Sequence, residues 1–489
     1  MAKQAATPTG AARLRVEISL FAAIIALSGC QATAPVSLPA APETLVALSH
    51  EAALVEPGGF TKATPPQTWW RLFGDPRLSE LVAGALDANL DLNTASERIA
   101  ASEAQLGLTE AASQPQLGGG ADYTNAAISG FSPLHDLGAP ITPYNTWRIG
   151  LQTSWEIDLW GRMAQLRQGA LERREASRAD FEAARVSLAA ETARTYLLLR
   201  GAQAQLALND QAADIARAEI PLVESRIRNG TAGRAALDIA RANLDKVASE
   251  RATLSERRDR LANALASLLA RGPHDLDAAL GVAAPPKLPA ALPVGVPSRL
   301  LQRRPDIAAA EARLRAAAAE VGAAEADFFP RISLKGGFAK EAYTIAELGS
   351  WASRAYSVGP AVYLPIFDGG RLKSTLAFTQ AQQREAALGY RQAVLRAWRE
   401  ADDALDVVAA ARQKLKQEEA AKSRFEDALA AARRGFEQGA GDQSSVLSAR
   451  RAVLAASAAQ LDALVAAQLA VVELFRALGG GWSADEAKS

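Results

Sequence analysis

Few side chains in this 489-residue chain are of the kinds that do chemistry, and their spacing rules most chemistry out. Three histidines, His50, His135 and His274, stand far apart in three different loop-like segments. A metal centre or a base-activated nucleophile needs such groups to converge, and nothing in this spacing brings them together. The glycines at 118–120 make no phosphate loop, because no Lys-Ser/Thr follows and no helix opens there. No catalytic, cofactor-binding or metal-ligating residue is assigned. Cys30 is the only cysteine, so a disulfide within the chain or a Cys-rich metal site is excluded. Its thiol is left as the one group with chemistry to perform.

The residues around Cys30 say what that chemistry is. Lys3, Arg13 and Arg15 precede an apolar run from Ile18 to Leu27, followed by Leu27-Ser28-Gly29-Cys30. About ten apolar residues are too few to span a bilayer of ~30 Å, but they suit the hydrophobic region of a secretory signal. The LSGC segment resembles the bacterial lipobox, in which small residues admit a signal peptidase and the cysteine sulfur receives lipid. Lipidation is expected at Cys30 after removal of residues 1–29, and Gln31 in the lipoprotein pattern implies sorting to the outer membrane. A chance cysteine after an ordinary cleaved signal is the plainer alternative.

Charge balances at 54 basic against 54 acidic residues, which announces no face for nucleic acid. Residues 30–77 begin as an Ala/Pro/Ser/Thr-rich tether or strap, and the adjacent Trp69 and Trp70 are expected to pack rather than bind. Leu78, Leu81, Val82, Ala85 and Leu86 open a proline-free stretch to Ala112 that predicts one helix of about 35 residues. Alternation then replaces it, over Gln116–Ala126 and Asn145–Ile157. Trp147, Ile149, Leu151, Thr153 and Trp155 fall on one face, and Arg148, Gly150, Gln152, Ser154 and Glu156 on the other. A half-buried soluble strand would alternate too, but the ~9 to 11 residue length and the aromatic ends suit a membrane strand. From Gly161 to Arg228 the pattern is helical for roughly 68 residues, a rod near 100 Å at ~1.5 Å per residue. After the glycine-rich turn at 229–233 a return helix of about 37 residues runs from Arg234 to Ala270.

The whole programme then repeats. Ile157 and Ile366, Arg162 and Arg371, and Gly230 and Gly439 are each 209 residues apart, the mark of internal duplication. The expected organisation is a first repeat at 78–270 with its β-hairpin at 116–157, a Pro-rich linker at 271–297, a second repeat at 298–478 with its hairpin at 331–367, and a tail at 479–489. In the second repeat the strands are expected at Arg331–Ala342 and Ala355–Phe367, and the helices at Ser298–Ala326, Gly370–Phe436 and Gln443–Leu478. The fold class is thus mainly α, with duplicated long helical hairpins forming an α-barrel, and four strands per chain. Four strands cannot close a barrel, and an open edge does not survive in hydrocarbon. Several copies must therefore pool their strands, eight from two copies or twelve from three.

The lipobox, the WWRLFGDPRLSELV opening, the two-fold repeat, the SWEIDLWGR and YLPIFDGGR junctions and the two glycine tips together resemble the outer-membrane factors of the TolC and OprM type, in their NodT-like lipoprotein branch. The likeness covers essentially the whole mature chain. It implies a homotrimer in the bacterial outer membrane, with a shared twelve-stranded β-barrel continuing into a long periplasmic α-barrel. Such a duct passively conducts small molecules such as drugs from an inner-membrane pump of the RND or a similar type, and a periplasmic adaptor grips its tips.

Carried onto this sequence, the resemblance places adaptor contacts at Gly230, Thr231, Ala232 and Gly233 and at Gly439, Ala440, Gly441 and Asp442. It places the periplasmic gate near Arg234, Asp238, Ser444, Ser445, Ser448 and Arg451. Relatives hold acidic or bulky apolar residues where Ser444, Ser445 and Ser448 stand, so a strongly cation-selective ring is not implied here. Either these polar and charged residues close the duct, or they are solvated helix ends. The rival classes are a periplasmic coiled-coil adaptor, which would carry one helical hairpin rather than two, and a soluble structural lipoprotein.

Overall fold

The computed structural model describes residues 59–295, 304–480 and 482. The signal segment, Cys30 and residues 296–303 lie outside the described residues. Seven longer helices are described: α1 (Pro76–Ala88), α2 (Leu90–Ala112), α3 (Arg162–Arg228), α4 (Arg234–Leu268), α5 (Pro305–Ala326), α6 (Arg371–Glu437) and α7 (Gln443–Ala477). The strands are β1 (Phe60–Thr61), β2 (Gln116–Ala126), β3 (Tyr144–Ile157), β4 (Leu292–Pro293), β5 (Arg331–Ala342) and β6 (Arg354–Tyr363). The chain divides into two compact units, one holding residues 100–175 and 311–389, the other holding the remaining described residues.

The first unit contains a four-stranded antiparallel sheet in the order β2-β3-β5-β6. The central pairing joins the two repeats, with Trp147 opposite Ala342 and Ile157 opposite Ile332. The outermost strands β2 and β6 each have a neighbour on one side only. One face gathers Tyr123, Ile149, Leu151, Phe338, Leu334, Tyr356 and Val358, all exposed in the protomer. An apolar face of that extent needs a non-aqueous neighbour. On the opposite face Asp122, Arg148 and Glu341 fall in one cross-strand row. Gly150 leaves room for the opposite strand, since a Cβ there would stand 2.7 Å from the Ala339 methyl.

The strand-to-helix junctions are built by side chains that the sequence singles out. Arg162 makes a two-pronged contact with Glu156, its Nε and Nη2 each donating at 2.9 Å. Asp158 accepts from the backbone N–H of Met163 and Ala164, satisfying two orphan donors at the start of α3. At the second junction Asp368 does the same for Gly370 and Leu372. Trp160 donates to the Pro330 carbonyl at 2.8 Å and stacks on Phe329, tying the first junction to the second repeat. The fourth strand ends at Tyr363, not at the expected Phe367. Its partner β5 begins at Arg331, directly after Pro330, so Tyr363 opposite Arg331 is the last residue with a strand to pair with.

The second unit holds the largest core. Asp75 caps α1, accepting from Arg77 N and Leu78 N, and Pro76 occupies the first helical position. This turns Leu78, Leu81, Val82 and Ala85 inward along one stripe, where they are buried. Trp69 and Trp70 pack, as expected: Trp69 stacks on Phe475 of α7 with centroids 5.2 Å apart, and both indoles are buried. Each fully buried large side chain stabilises by roughly 1.5–3 kcal/mol. Helix α7 is long and apolar enough to cross a membrane by composition, yet Val471, Leu474 and Phe475 belong to this core.

The expected single helix from Leu78 to Ala112 is instead two. Asn89 breaks it with an extended backbone, and its Oδ1 accepts from Asp91 N and Leu92 N, while its Nδ2 donates to the Leu268 carbonyl. Asn is a strong N-cap, and here that preference wins over the continuing apolar period. The short strands β1 and β4 pair in parallel, Phe60 with Leu292. The Pro-rich connection is held by Arg412, which donates to the Pro289 carbonyl at 2.7 Å, and by Gln468, which donates to that of Pro286.

Tyr196 of α3 ties the cap of α1 into this core, its hydroxyl donating to Asp75 Oδ2 at 2.7 Å. Burial pushes the phenol up to about 12, and the bond to Asp75 adds to it, against the nearby Arg200 guanidinium. A folded value above the unfolded ~10 means the contribution is complete below pH ~10 and fades as pH rises through about 12. Tyr196→Phe should cost about 1–2 kcal/mol at neutral pH. Unfolding of the two proteins followed to strongly alkaline pH should show the gap narrowing.

Candidate functional site

The two helical turns predicted as tips lie in the second unit. At the first, α3 ends at Arg228 and Gly230 takes a positive φ of 70°, while Thr231 N donates back to the Arg226 carbonyl at 2.8 Å. At the second, Gly439 takes a φ of 74° and Ala440 N donates to the Gly435 carbonyl, also at 2.8 Å. Both are helix ends of the Schellman kind, where the left-handed residue is almost obligatorily glycine. A Cβ at either glycine would meet nothing within 4 Å, so the backbone angle, not crowding, requires glycine there.

The return helices start differently. Helix α4 has Gly233 as its cap residue, with no side-chain bond. Helix α7 has Asp442, whose Oδ1 accepts from Ser445 N at 2.9 Å and from the Ser445 hydroxyl. The other carboxylate oxygen of Asp442 faces Arg226 of α3 at 3.3 Å. About two and a half turns along from Asp442, Arg451 of α7 pairs with Glu219 of α3. Arg241 of α4 approaches Glu224 at 4.0 Å. The end of α3 is thus held to α7 by two ion pairs and to α4 by a looser one. Hydrogen bonds from Ser445, first its hydroxyl and then its backbone N–H, and the Arg226 charge hold the Asp442 carboxyl below its ordinary range.

Of the residues singled out from the sequence, the structure joins Asp442, Ser445 and Arg451 to partners on or across the tips. Ser444 lies beside Asp442 and contributes to the same carboxyl environment. Arg234, Asp238 and Ser448 are exposed and stand outside this network, as do Thr231 to Gly233 and Ala440. Gly441 lies against the end of α6, with its N–H donating to the Gly435 carbonyl. Arg226 and Glu219 complete the network and were not among the sequence candidates. Their charge and placement one to three turns before the glycine tip were the available signal. Further from the tips, α3, α4 and α7 together line a cleft of about 700 Å³, with Leu208, Glu219, Lys246, Leu254 and Arg451 among its walls. Two of the three histidines are described: His135 Nδ1 lies 3.1 Å from the Ala139 carbonyl, and His274 Nδ1 lies 3.0 Å from Asp277.

Two regions, residues 81–271 and 296–480, match the family described as outer membrane efflux protein. The chain belongs to that family. It is 34% identical to outer membrane protein OprJ of Pseudomonas aeruginosa over 96% of this chain and 97% of that one. It is 31% identical to the cation efflux system protein CusC of Escherichia coli over 94% of this chain and 98% of that one. The outer-membrane channel OprN superposes with a TM-score of 0.79 at 32% identity, over 87% of this chain and 95% of that one. VceC of Vibrio cholerae gives 0.76 at 27% identity, over 85% and 99%.

The efflux channel therefore has the expected fold class, an α-barrel of long helices with four strands per chain given to a shared β-barrel. It is an outer-membrane exit duct of a tripartite efflux system, a homotrimer that works with a periplasmic adaptor and an inner-membrane pump. The adaptor and soluble-scaffold alternatives are set aside.

Proposed function

We propose that this duct conducts small molecules passively, that Cys30 carries its lipid anchor, and that the tip network of Asp442, Arg226, Arg451 and Glu219 holds its periplasmic end shut. The observation that carries the gate is that one anion and one cation at the start of α7, Asp442 and Arg451, both pair with α3, through Arg226 and Glu219. Ser444, Ser445 and Ser448, with Arg234 and Asp238, line the same end and supply hydrogen-bonding surface instead of an acidic ring. The turns at Gly230–Gly233 and Gly439–Asp442 are the surface for the adaptor, whose grip shifts a closed tip toward an open one. Conduction of this kind asks no bond-making step of the protein.

Cargo is set elsewhere. The relatives' names refer to pyoverdine export, cation efflux and solvent efflux, and their identities to this chain are similar, 29–31%. One duct architecture thus serves chemically unlike cargoes in those proteins. For this chain the substrate class is small solutes delivered by its pump.

Planar-bilayer conductance of the detergent-extracted protein, with its mass measured by light scattering, tests the reading. A trimer passing small, flickering currents is expected, and a non-conducting monomer would refute it. Acid supplies a second check on the gate. Ser445, within the α7 cap, does most to depress the Asp442 carboxyl, and the Arg226 charge across the tip adds to it; that cross-tip attraction is complete above the ordinary carboxylate range near ~4 and is lost as pH falls through the depressed value. Currents should stay low down to about pH 4 and rise below it, whereas Asp442→Asn should raise them already at neutral pH.

A further inference from the structure

The sheet face that carries the large apolar side chains also carries two cations, and they stand directly opposite each other. Lys340 of β5 is in register with Arg354 of β6, in the row next to Phe338 and Tyr356. Like charges placed opposite on one face of an antiparallel pair repel. Neither has a carboxylate at ion-pairing distance among the described residues. Lys340 Nζ donates to the Gly349 carbonyl at 3.4 Å, and Arg354 donates to that of Trp351 at 2.9 Å with its guanidinium 4.7 Å over the Trp351 ring. The acidic residues nearby are otherwise placed. Asp122 and Glu341 flank Arg148 on the opposite face, and Glu347 accepts from Thr344 N within its own loop.

Position along the strand says what could neutralise the pair. Strand β5 arrives from α5 at its Arg331 end, and its Ala342 end leads into the loop at 343–353. From Ile332 to Lys340 is eight steps of ~3.4 Å, which at a barrel tilt near 40° gives a height of roughly 20 Å, close to the ~25 Å apolar band of an outer-membrane barrel. Lys340 and Arg354 therefore meet the headgroups on the side away from the helices, the outer leaflet. The same row continues into the first hairpin as Ile149 and Ala121, and the counterpart of the pair in the first repeat is Asn145 opposite Asn125, all uncharged, so each protomer presents one such pair.

We propose that Lys340 and Arg354, backed by Trp351, bind the phosphate of an anionic lipid of the outer leaflet. The guanidinium offers a fork and the ammonium a point charge, so one phosphate bridges both and removes their repulsion. The short turn that carries Trp351 is pinned by Ser350, whose hydroxyl accepts from Ala352 N. Free phosphate would use the cations alone. A lipid also uses the apolar row below them, where Phe338, Tyr356 and Val358 await acyl chains.

The inference rests on the strands lying in the outer membrane, and the test separates the two. Full-length trimer is reconstituted into vesicles of phosphatidylethanolamine, alone or doped with a bisphosphorylated lipid A or with its dephosphorylated form. Insertion is scored first, then retained lipid is counted by native mass spectrometry after gentle re-extraction. The wild type should insert in all three and retain the phosphorylated lipid about tenfold over its dephosphorylated form. K340Q/R354Q should insert but bring that ratio to parity, each single variant should lose part of it, and K340R should keep it. Equal retention by the wild type and either the double variant or both single variants would overturn the site. So would inorganic phosphate that displaces the lipid from the wild type at equal concentration. A wild-type trimer that fails to insert would refute the membrane placement itself, and the site with it.

Discussion

Arg304→Ala is expected to destabilise the channel by about 3 kcal/mol per protomer. Arg304 is buried, and all three of its guanidinium nitrogens donate. Nε and Nη2 donate to the two oxygens of Asp306, Nη2 also reaches Glu400 of α6 at 2.8 Å, and Nη1 donates to the Ala477 carbonyl at the end of α7. One side chain therefore secures the start of α5, the body of α6 and the end of α7. Truncation removes the one cation that bridges both carboxylates, leaving Glu400 only the more distant Arg476, and strands a helix-end carbonyl without that donor. Both carboxylates retain some access to water, which keeps the loss below that of a fully buried pair. Arg304→Lys keeps the charge but not the fork and should fall in between. The denaturant midpoint of the detergent-solubilised trimer is the measurement, and a midpoint unchanged in Arg304→Ala would refute the assignment.

Arg451→Glu is expected to open the resting duct. It replaces an attraction to Glu219 by a repulsion at each of three copies around one aperture. An exposed or half-exposed pair is worth roughly 1 kcal/mol at most, and three acting on one closed-to-open equilibrium sum to about 3 kcal/mol, or roughly a hundredfold in the population of open ducts. Single-channel recordings should change from brief openings to long ones with no change in trimer mass. Glu219→Arg added to Arg451→Glu restores the pair with its charges exchanged and should restore closure. An intact Arg451→Glu trimer that conducts as the wild type does would exclude the pair from the gate.

Much of the architecture was legible because it is written in long, repeated signals. A helix of 67 residues occurs in each half, and no short-range preference competes with a pattern that long. The glycine tips were readable for a physical reason, since a left-handed residue at a helix end leaves few choices. Asn89 was not, because its side chain decides the break by bonding Asp91, Leu92 and the distant Leu268 carbonyl at once. The end of β6 was misplaced by the apolar alternation that runs on past Tyr363. At the tips, the family resemblance pointed to Asp442 and Arg451 at the start of α7 and missed their counterparts on α3. Residues 219 and 226 become neighbours of 451 and 442 only through the packing of helices from different repeats, a relation that no local window contains.

The unpaired sides of β2 and β6 also have a genetic consequence. A sheet completed only by two sister copies makes each protomer's phenotype a property of the assembly. If a cell makes equal amounts of wild-type protein and a variant that still joins but cannot close its tips, random mixing leaves only about one trimer in eight with three sound copies. Such an allele would act over the wild type, leaking through nearly every duct. A variant whose β2 or β6 cannot pair would be excluded from assemblies and remain recessive. Dominance thus distinguishes, without any purification, lesions of the aperture from lesions of the seam.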